Sequence, residues 1–231
     1  SRAGSAKVAV PLPGILRDVS PKLCASNLPF IDCLGDAVDS DDSSKDRGLA
    51  HGAGFVGRHL ETQEVIHSCL NNHLTAVYGG KGTGKSACVL EAARYLRERN
   101  RFPHGIFCCS LEGLRSMKAV RSRLGTTLKL PARSGVELCD HMMARYQCCL
   151  LILDRCEDAI KHARTQFIWF LDQLLQQSRV KVLLLSNTLL KDFPQTSDAE
   201  LRIGSIVLAP MCGVDAALLL VELCDRELEP S

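Results

Sequence analysis

Short, mostly apolar runs punctuate the chain at 75–79, 105–111, 148–154, 180–187 and 205–209, and helical patterns fill the intervals between them. The runs are apolar on successive residues rather than on alternate ones, which suits strands covered on both faces. Strands that alternate with helices form a parallel sheet, because each crossover needs a connection long enough to return to the same edge. The pattern therefore predicts an α/β, three-layer architecture: a five-stranded parallel sheet with helices on both faces. Phe167, Phe170, Leu171, Leu174 and Leu175 repeat at helical spacing, as do Leu114, Met117, Val120 and Leu124. These stripes are expected to face the core. A last apolar helix is predicted over 215–224, with Asp215 placed where an acidic residue suits a helix N-terminus.

Upstream of the first run the pattern stops. Residues 36–54 shift to Asp, Ser and Gly, with Asp39, Asp41, Asp42 and Asp46 crowded together, and read as a flexible acidic linker. Residues 1–35 hold Pro11, Pro13, Pro21 and Pro29 among short apolar pieces, too little for a core, and read as an upstream remnant or a strap. The main domain is expected over 55–212, with 213–231 the start of a helical subdomain. The chain is then expected to be a piece of a longer parent.

Charge and cysteine content narrow the class. The 28 basic and 26 acidic residues leave a formal charge of +2, so no overall field points to a nucleic-acid or membrane-surface partner. A local patch would be needed, and the one basic stripe, Arg115, Lys118, Arg121 and Arg123, reads as a solvated helix face. Twelve cysteines show no Cys-x-x-Cys spacing, and Cys108, Cys109, Cys148 and Cys149 lie inside apolar runs. They read as free thiols behaving as small hydrophobes, which favours a reducing compartment, cytoplasmic or nuclear, with the cytoplasm expected. No apolar stretch has the length of a membrane span.

The candidate chemistry begins where the first strand ends. Gly79-Gly80-Lys81-Gly82-Thr83-Gly84-Lys85-Ser86 is a complete G-x-x-x-x-G-K-S motif between a strand and a helical pattern that opens near Ala87. Its glycines let backbone N–H groups approach phosphate oxygens, and the helix N-terminus adds favourable partial charge. Lys85 is expected to reach the β- and γ-phosphates, and Ser86 to place its hydroxyl on Mg²⁺. The nucleotide cradle is thus Gly79, Gly80, Gly82, Thr83, Gly84, Lys85, Ser86 and Ala87.

Mg²⁺ also needs a carboxylate at the end of a neighbouring strand. The run 148–154 ends in Asp154, the candidate Walker B residue and second metal-site group. Arg155 follows it, so the acidic group closest to a water-positioning role is Glu157, which equally suits the start of a helix. The fourth run ends in Ser186 and Asn187. The Asn187 amide is a candidate γ-phosphate sensor, with a strand cap as the alternative.

Taken together, these segments resemble the STAND class of signalling NTPases, and its NB-ARC-like members in particular. Phe55-Val56-Gly57-Arg58 is similar to the family's FVGR entry motif, and 101–107 to its RFPDGVF strand entry. Residues 151–158 are similar to the LVLDNCEH form of Walker B, and 207–210 with 215–219 to the L-x-P-L…DAA-x-LL entry into a helical subdomain. The resemblance implies that Phe55, Val56 and Arg58 line the nucleotide site, that the ligand is ATP or ADP with Mg²⁺, and that nucleotide exchange controls self-association of the longer parent. His59 stands in place of the usual Glu, Arg155 in place of Asp or Asn, and Asn187 in place of an arginine sensor. These departures touch hydrolysis more than binding, so slow or no hydrolysis is expected. The sequence ends before the family's GLPL-type segment and winged helix, so weaker binding than in the parent is expected.

Three other classes compete. An origin-recognition type AAA+ subunit also pairs a GxGTGKS loop with a strand-ending Ser-Asn and would associate with DNA. A small-molecule kinase would need an arginine-rich lid and an acceptor pocket, neither evident. A protease would need more than Cys139-Asp140-His141, which reads as a helix turn.

Overall fold

The computed structural model describes residues 55–131, 134–177, 179–189 and 201–227. The segments read as a strap and a linker, 1–35 and 36–54, lie outside the described residues.

Five strands form one parallel sheet: β1 (Leu74–Tyr78), β2 (Ile106–Ser110), β3 (Leu150–Asp154), β4 (Lys181–Ser186) and β5 (Ile203–Val207). Each coincides with a predicted run, with ends displaced by one or two residues. The spatial order is β2-β3-β4-β1-β5. The strand carrying the phosphate loop is therefore flanked by β4 and β5. Asp154 ends β3, which β4 separates from β1.

The helices are α1 (His59–Asn71), α2 (Lys85–Glu98), α3 (Met117–Leu128), α4 (Gly135–Arg145), α5 (Glu157–Gln177) and α6 (Gly213–Glu227). Two apolar cores sandwich the sheet because successive strand residues point to opposite faces. On one face Val77, Cys108, Ile152, Leu183 and Leu185 pack with Val65 and Cys69 of α1 and Val89, Ala92 and Leu96 of α2. On the other, Ala76, Phe107, Leu151, Leu153 and Leu184 pack with Val120 and Leu124 of α3, Leu138 and Met142 of α4, and Phe167 and Phe170 of α5. The helical stripes thus face the core, except that Leu114 precedes α3 and packs against the core from a loop.

Local chemistry sets where helices start. Ser116 accepts a hydrogen bond from the Ala119 amide and Ser134 from the Glu137 amide, at 3.3 and 3.0 Å, capping α3 and α4. The α5 helix opens on Glu157 and Asp158 and kinks at Ala163, whose φ of −133° is not helical. Edge strand β5 departs from the two-sided burial expected of all the strands, since Val207 is 70% exposed. Asp215 lies in the first turn of α6, as predicted. The ten cysteines among the described residues are all free. Among the same residues, no helix is long and apolar enough to cross a membrane.

Candidate functional site

The carboxyl ends of β1, β3 and β4 bring the sequence-predicted groups together. After β1 the chain turns through Gly82 and Gly84, with φ of +80° and +84°, and enters α2 at Lys85. That left-handed backbone is open to glycine at little cost. Gly79 is needed for another reason: a Cβ there would sit 2.7 Å from the Leu208 carbonyl oxygen. The loop's first glycine is therefore where the segment leaving β5 presses on the cradle.

Lys85 is buried, and its ammonium donates to the carbonyls of Gly79 and Gly80, both at 2.9 Å, and to Asn187 Oδ1 at 2.6 Å. Burial lowers its pKa below the usual lysine value, while Glu157 first and Asp154 second pull it upward. Asn187, just past the end of β4, thus contacts Lys85 directly. Its own backbone N–H donates to Glu157 Oε1 at 2.7 Å. Glu157 therefore opens α5 beside this cluster and holds the end of β4 through a hydrogen bond.

Ser86 Oγ donates to Asp154 Oδ2 at 2.8 Å, and the Arg155 amide donates to Asp154 Oδ1 at 2.8 Å. A hydroxyl and a buried carboxylate at that separation are a hard oxygen pair of the kind Mg²⁺ takes. Among the described residues no three His, Cys, Asp or Glu side chains gather to hold a metal. Mg²⁺ does not need such a group, because it keeps waters and shares phosphate oxygens. Arg155 adopts a left-handed φ of 55° as the chain leaves β3, and its guanidinium pairs with Glu112.

The entry segment closes the site from the other side. Arg58, also left-handed at φ 53°, is buried, donating to Glu61 at 3.1 Å and to the Ala209 carbonyl at 2.6 Å. Its Nε is buried without a partner, and a Cβ on Gly84 would lie 3.8 Å from it. An unpaired buried guanidinium donor is costly, and an anion at the start of α2 would satisfy it. Gly57 packs against Asp215, where a Cβ would come within 2.9 Å of the carboxyl carbon. Phe55 and Val56 are half-buried, and Phe55 meets His59 edge-on at 6.5 Å between ring centroids. The residues present thus fit a nucleotide phosphate chain with Mg²⁺: a positive-φ loop, a buried lysine, an orphaned arginine donor and a hydroxyl–carboxylate pair.

Sequence reading missed the loop ties. Asp158 accepts from the Gly113 amide at 3.1 Å, anchoring the β2–α3 connection to α5. The Arg58–Ala209 and Gly79–Leu208 contacts join segments far apart in the chain, and no local pattern announces them.

The fold is the three-layer α/β fold of P-loop NTPases, and the groups at its strand ends fit a nucleotide phosphate chain. Two similar solved structures support the fold. One is a chain of Drosophila ORC bound to DNA, 16% identical with a TM-score of 0.55, covering 74% of this chain and 47% of that one. The other is the Aeropyrum pernix ORC1 protein in complex with DNA, 17% identical with a TM-score of 0.60, covering 76% of this chain and 51% of that one. This chain spans about half the length of those proteins. No family model matches the sequence, and no curated protein matches it.

Proposed function

We propose that the domain is the ATP/ADP-responsive switch of a STAND-type signalling NTPase, with slow or no hydrolysis by itself. The observation that carries this reading is the Arg58 bond to Ala209 at 2.6 Å. It ties the entry motif, which lies over the start of α2, to the segment leading into α6. Whatever follows α6 is thereby mechanically linked to the phosphate site, as a switch requires.

In this reading Lys85 binds the phosphates, Asn187 responds to the γ-phosphate, and Arg58 satisfies its free donor on the ligand. Mg²⁺, when bound, neutralises phosphate charge beside Ser86 and Asp154. Glu157 holds Asn187 rather than standing free beside the phosphates, and Arg155 points to Glu112. Both features favour binding over efficient hydrolysis. Nucleotide-controlled self-association belongs to the longer parent.

The test is to denature the purified chain, identify released nucleotide by chromatography, and titrate ATP and ADP onto the wild type and Lys85→Ala. Bound ADP lost in Lys85→Ala supports the switch. Unchanged nucleotide affinity in that variant removes the assignment.

A second reading is an origin-recognition-like AAA+ subunit, favoured by the two ORC proteins of similar fold, both solved with DNA. It predicts DNA affinity that falls steeply with salt. The near-neutral charge of the chain weighs against it.

A further inference from the structure

We propose that the groove between α3, α4 and α5 binds an acidic peptide that presents an aromatic side chain beside its carboxylates. The groove has a volume of about 520 Å³, and Met117, Lys118, Arg121, Gly135, Trp169 and Phe170 lie along it. Trp169, the only tryptophan of the chain, is 49% exposed there, over a floor that includes the buried Phe170. An indole half in water costs hydrophobic free energy that a partner's aromatic or apolar side chain would recover, and tryptophan is a frequent anchor of binding surfaces.

Gly135 keeps the groove open. Its backbone is not in the positive-φ region, so the conformation does not call for glycine. A Cβ there would lie 3.5 Å from the Trp169 ring and 3.7 Å from the Arg121 side chain, which would fill the space between them.

The charge of the groove is one-sided. Lys118 and Arg121 contribute cations, and among the described residues neither is in an ion pair. Among the described residues no Asp or Glu lines the groove. The starts of α3 and α4, at Ser116 and Gly135, also meet it and add partial positive charge of the same sign. With a formal charge of only +2 over the chain, this positive potential is local. It matches a short acidic peptide better than a duplex, whose binding requires a row of phosphate contacts. The groove is separate from the nucleotide site: α5 contributes Glu157 to that site before its kink at Ala163, and Thr165, Gln166 and Trp169 to the groove after it.

Trp169 fluorescence on the full chain reads the groove directly. The probes are acetyl-Glu-Glu-Phe-Glu-Glu-amide, its lysine counterpart, and a short DNA duplex. The acidic peptide is expected to change the emission saturably, and the basic peptide is not. Lys118→Glu with Arg121→Glu should weaken the acidic peptide by about ten-fold or more, since like charges then face each other. Gly135→Leu should abolish binding by filling the groove, with circular dichroism and the melting temperature as controls for folding. The proposal falls if the acidic peptide gives no saturable change, if the basic peptide binds equally, or if the duplex binds more tightly with a steep salt dependence. It also falls if the charge-reversed variant, folded by the same controls, binds the acidic peptide as well as the wild type.

Discussion

The triple hydrogen bond of Lys85 leads to a prediction that a conventional sensor role for Asn187 would not make. A lysine ammonium has three N–H donors. In this structure they go to Gly79 O, Gly80 O and Asn187 Oδ1, so an arriving phosphate must displace at least one acceptor. Asn187→Ala removes the closest of the three, at 2.6 Å. It leaves the backbone N–H of residue 187 on Glu157 intact, so the end of β4 keeps its anchor. A hydrogen bond to a charged group is worth about 1.5–3 kcal/mol net when desolvated. Asn187 is exposed, so solvent screening reduces this to about 1 kcal/mol, or roughly five-fold in affinity.

ADP lacks the γ-phosphate and gains nothing from the amide, so its affinity should rise by about that factor on removal of the competitor. In the proposed reading ATP loses its contact with the amide in the same substitution, so its affinity should stay level or fall. Isothermal titration of both nucleotides with Mg²⁺ gives the ratio of their dissociation constants, which should move toward ADP by about five-fold or more. If both affinities fall in parallel, the Lys85–Asn187 bond does not compete with phosphate, and the reasoning fails.

Four further outcomes follow from the packing. Gly79→Ala should destabilise the fold by about 1–3 kcal/mol and weaken nucleotide binding, because its Cβ would press on the Leu208 carbonyl at 2.7 Å; urea denaturation and titration measure both. Phe167→Ala should cost about 3–5 kcal/mol by urea denaturation, since the ring is fully buried between α5 and the sheet and leaves a cavity. Burial pushes the thiols of Cys69 and Cys149 up to about 12 and that of Cys139 up to about 11, from an ordinary value of 9.0. Stability from these neutral thiols is complete below pH 9.0 and is lost as pH rises toward 11 to 12, because the unfolded thiols ionise first. Under reductant, the urea midpoint should therefore drop between pH 8 and pH 10, and less so in a Cys139→Ala, Cys149→Ala variant. At pH 8, alkylation should mark the exposed Cys212 and Cys224 before any other cysteine among the described residues.

The glycine-rich loop between β1 and α2 was legible in the sequence because it is made of consecutive residues. A strand, a glycine-bearing loop and a helix start need no distant partner to take their shape, so 79–86 could be read as a unit. The strands were legible for a related reason: a strand covered on both faces must be apolar throughout, and turns bound it. Asp154 was found by the same logic, as the polar residue ending such a run.

Strand order was not legible. All the interior strands are comparably apolar, and every crossover is long enough to reach several positions, so nothing local shows that β4 separates β1 from β3. That insertion puts Asn187, 102 residues along the chain, on Lys85, and it makes Glu157 the anchor of the Asn187 amide. The Arg58–Ala209 bond spans 151 residues, and the cationic groove is assembled from three helices whose stripes, read singly, point only to a core. The sequence by itself determined the elements and the glycine-rich loop, because both depend on interactions within a few residues. Only the tertiary structure decided which strand lies beside which, and therefore which distant side chains meet the phosphate site, because such contacts depend on packing that no local periodicity encodes.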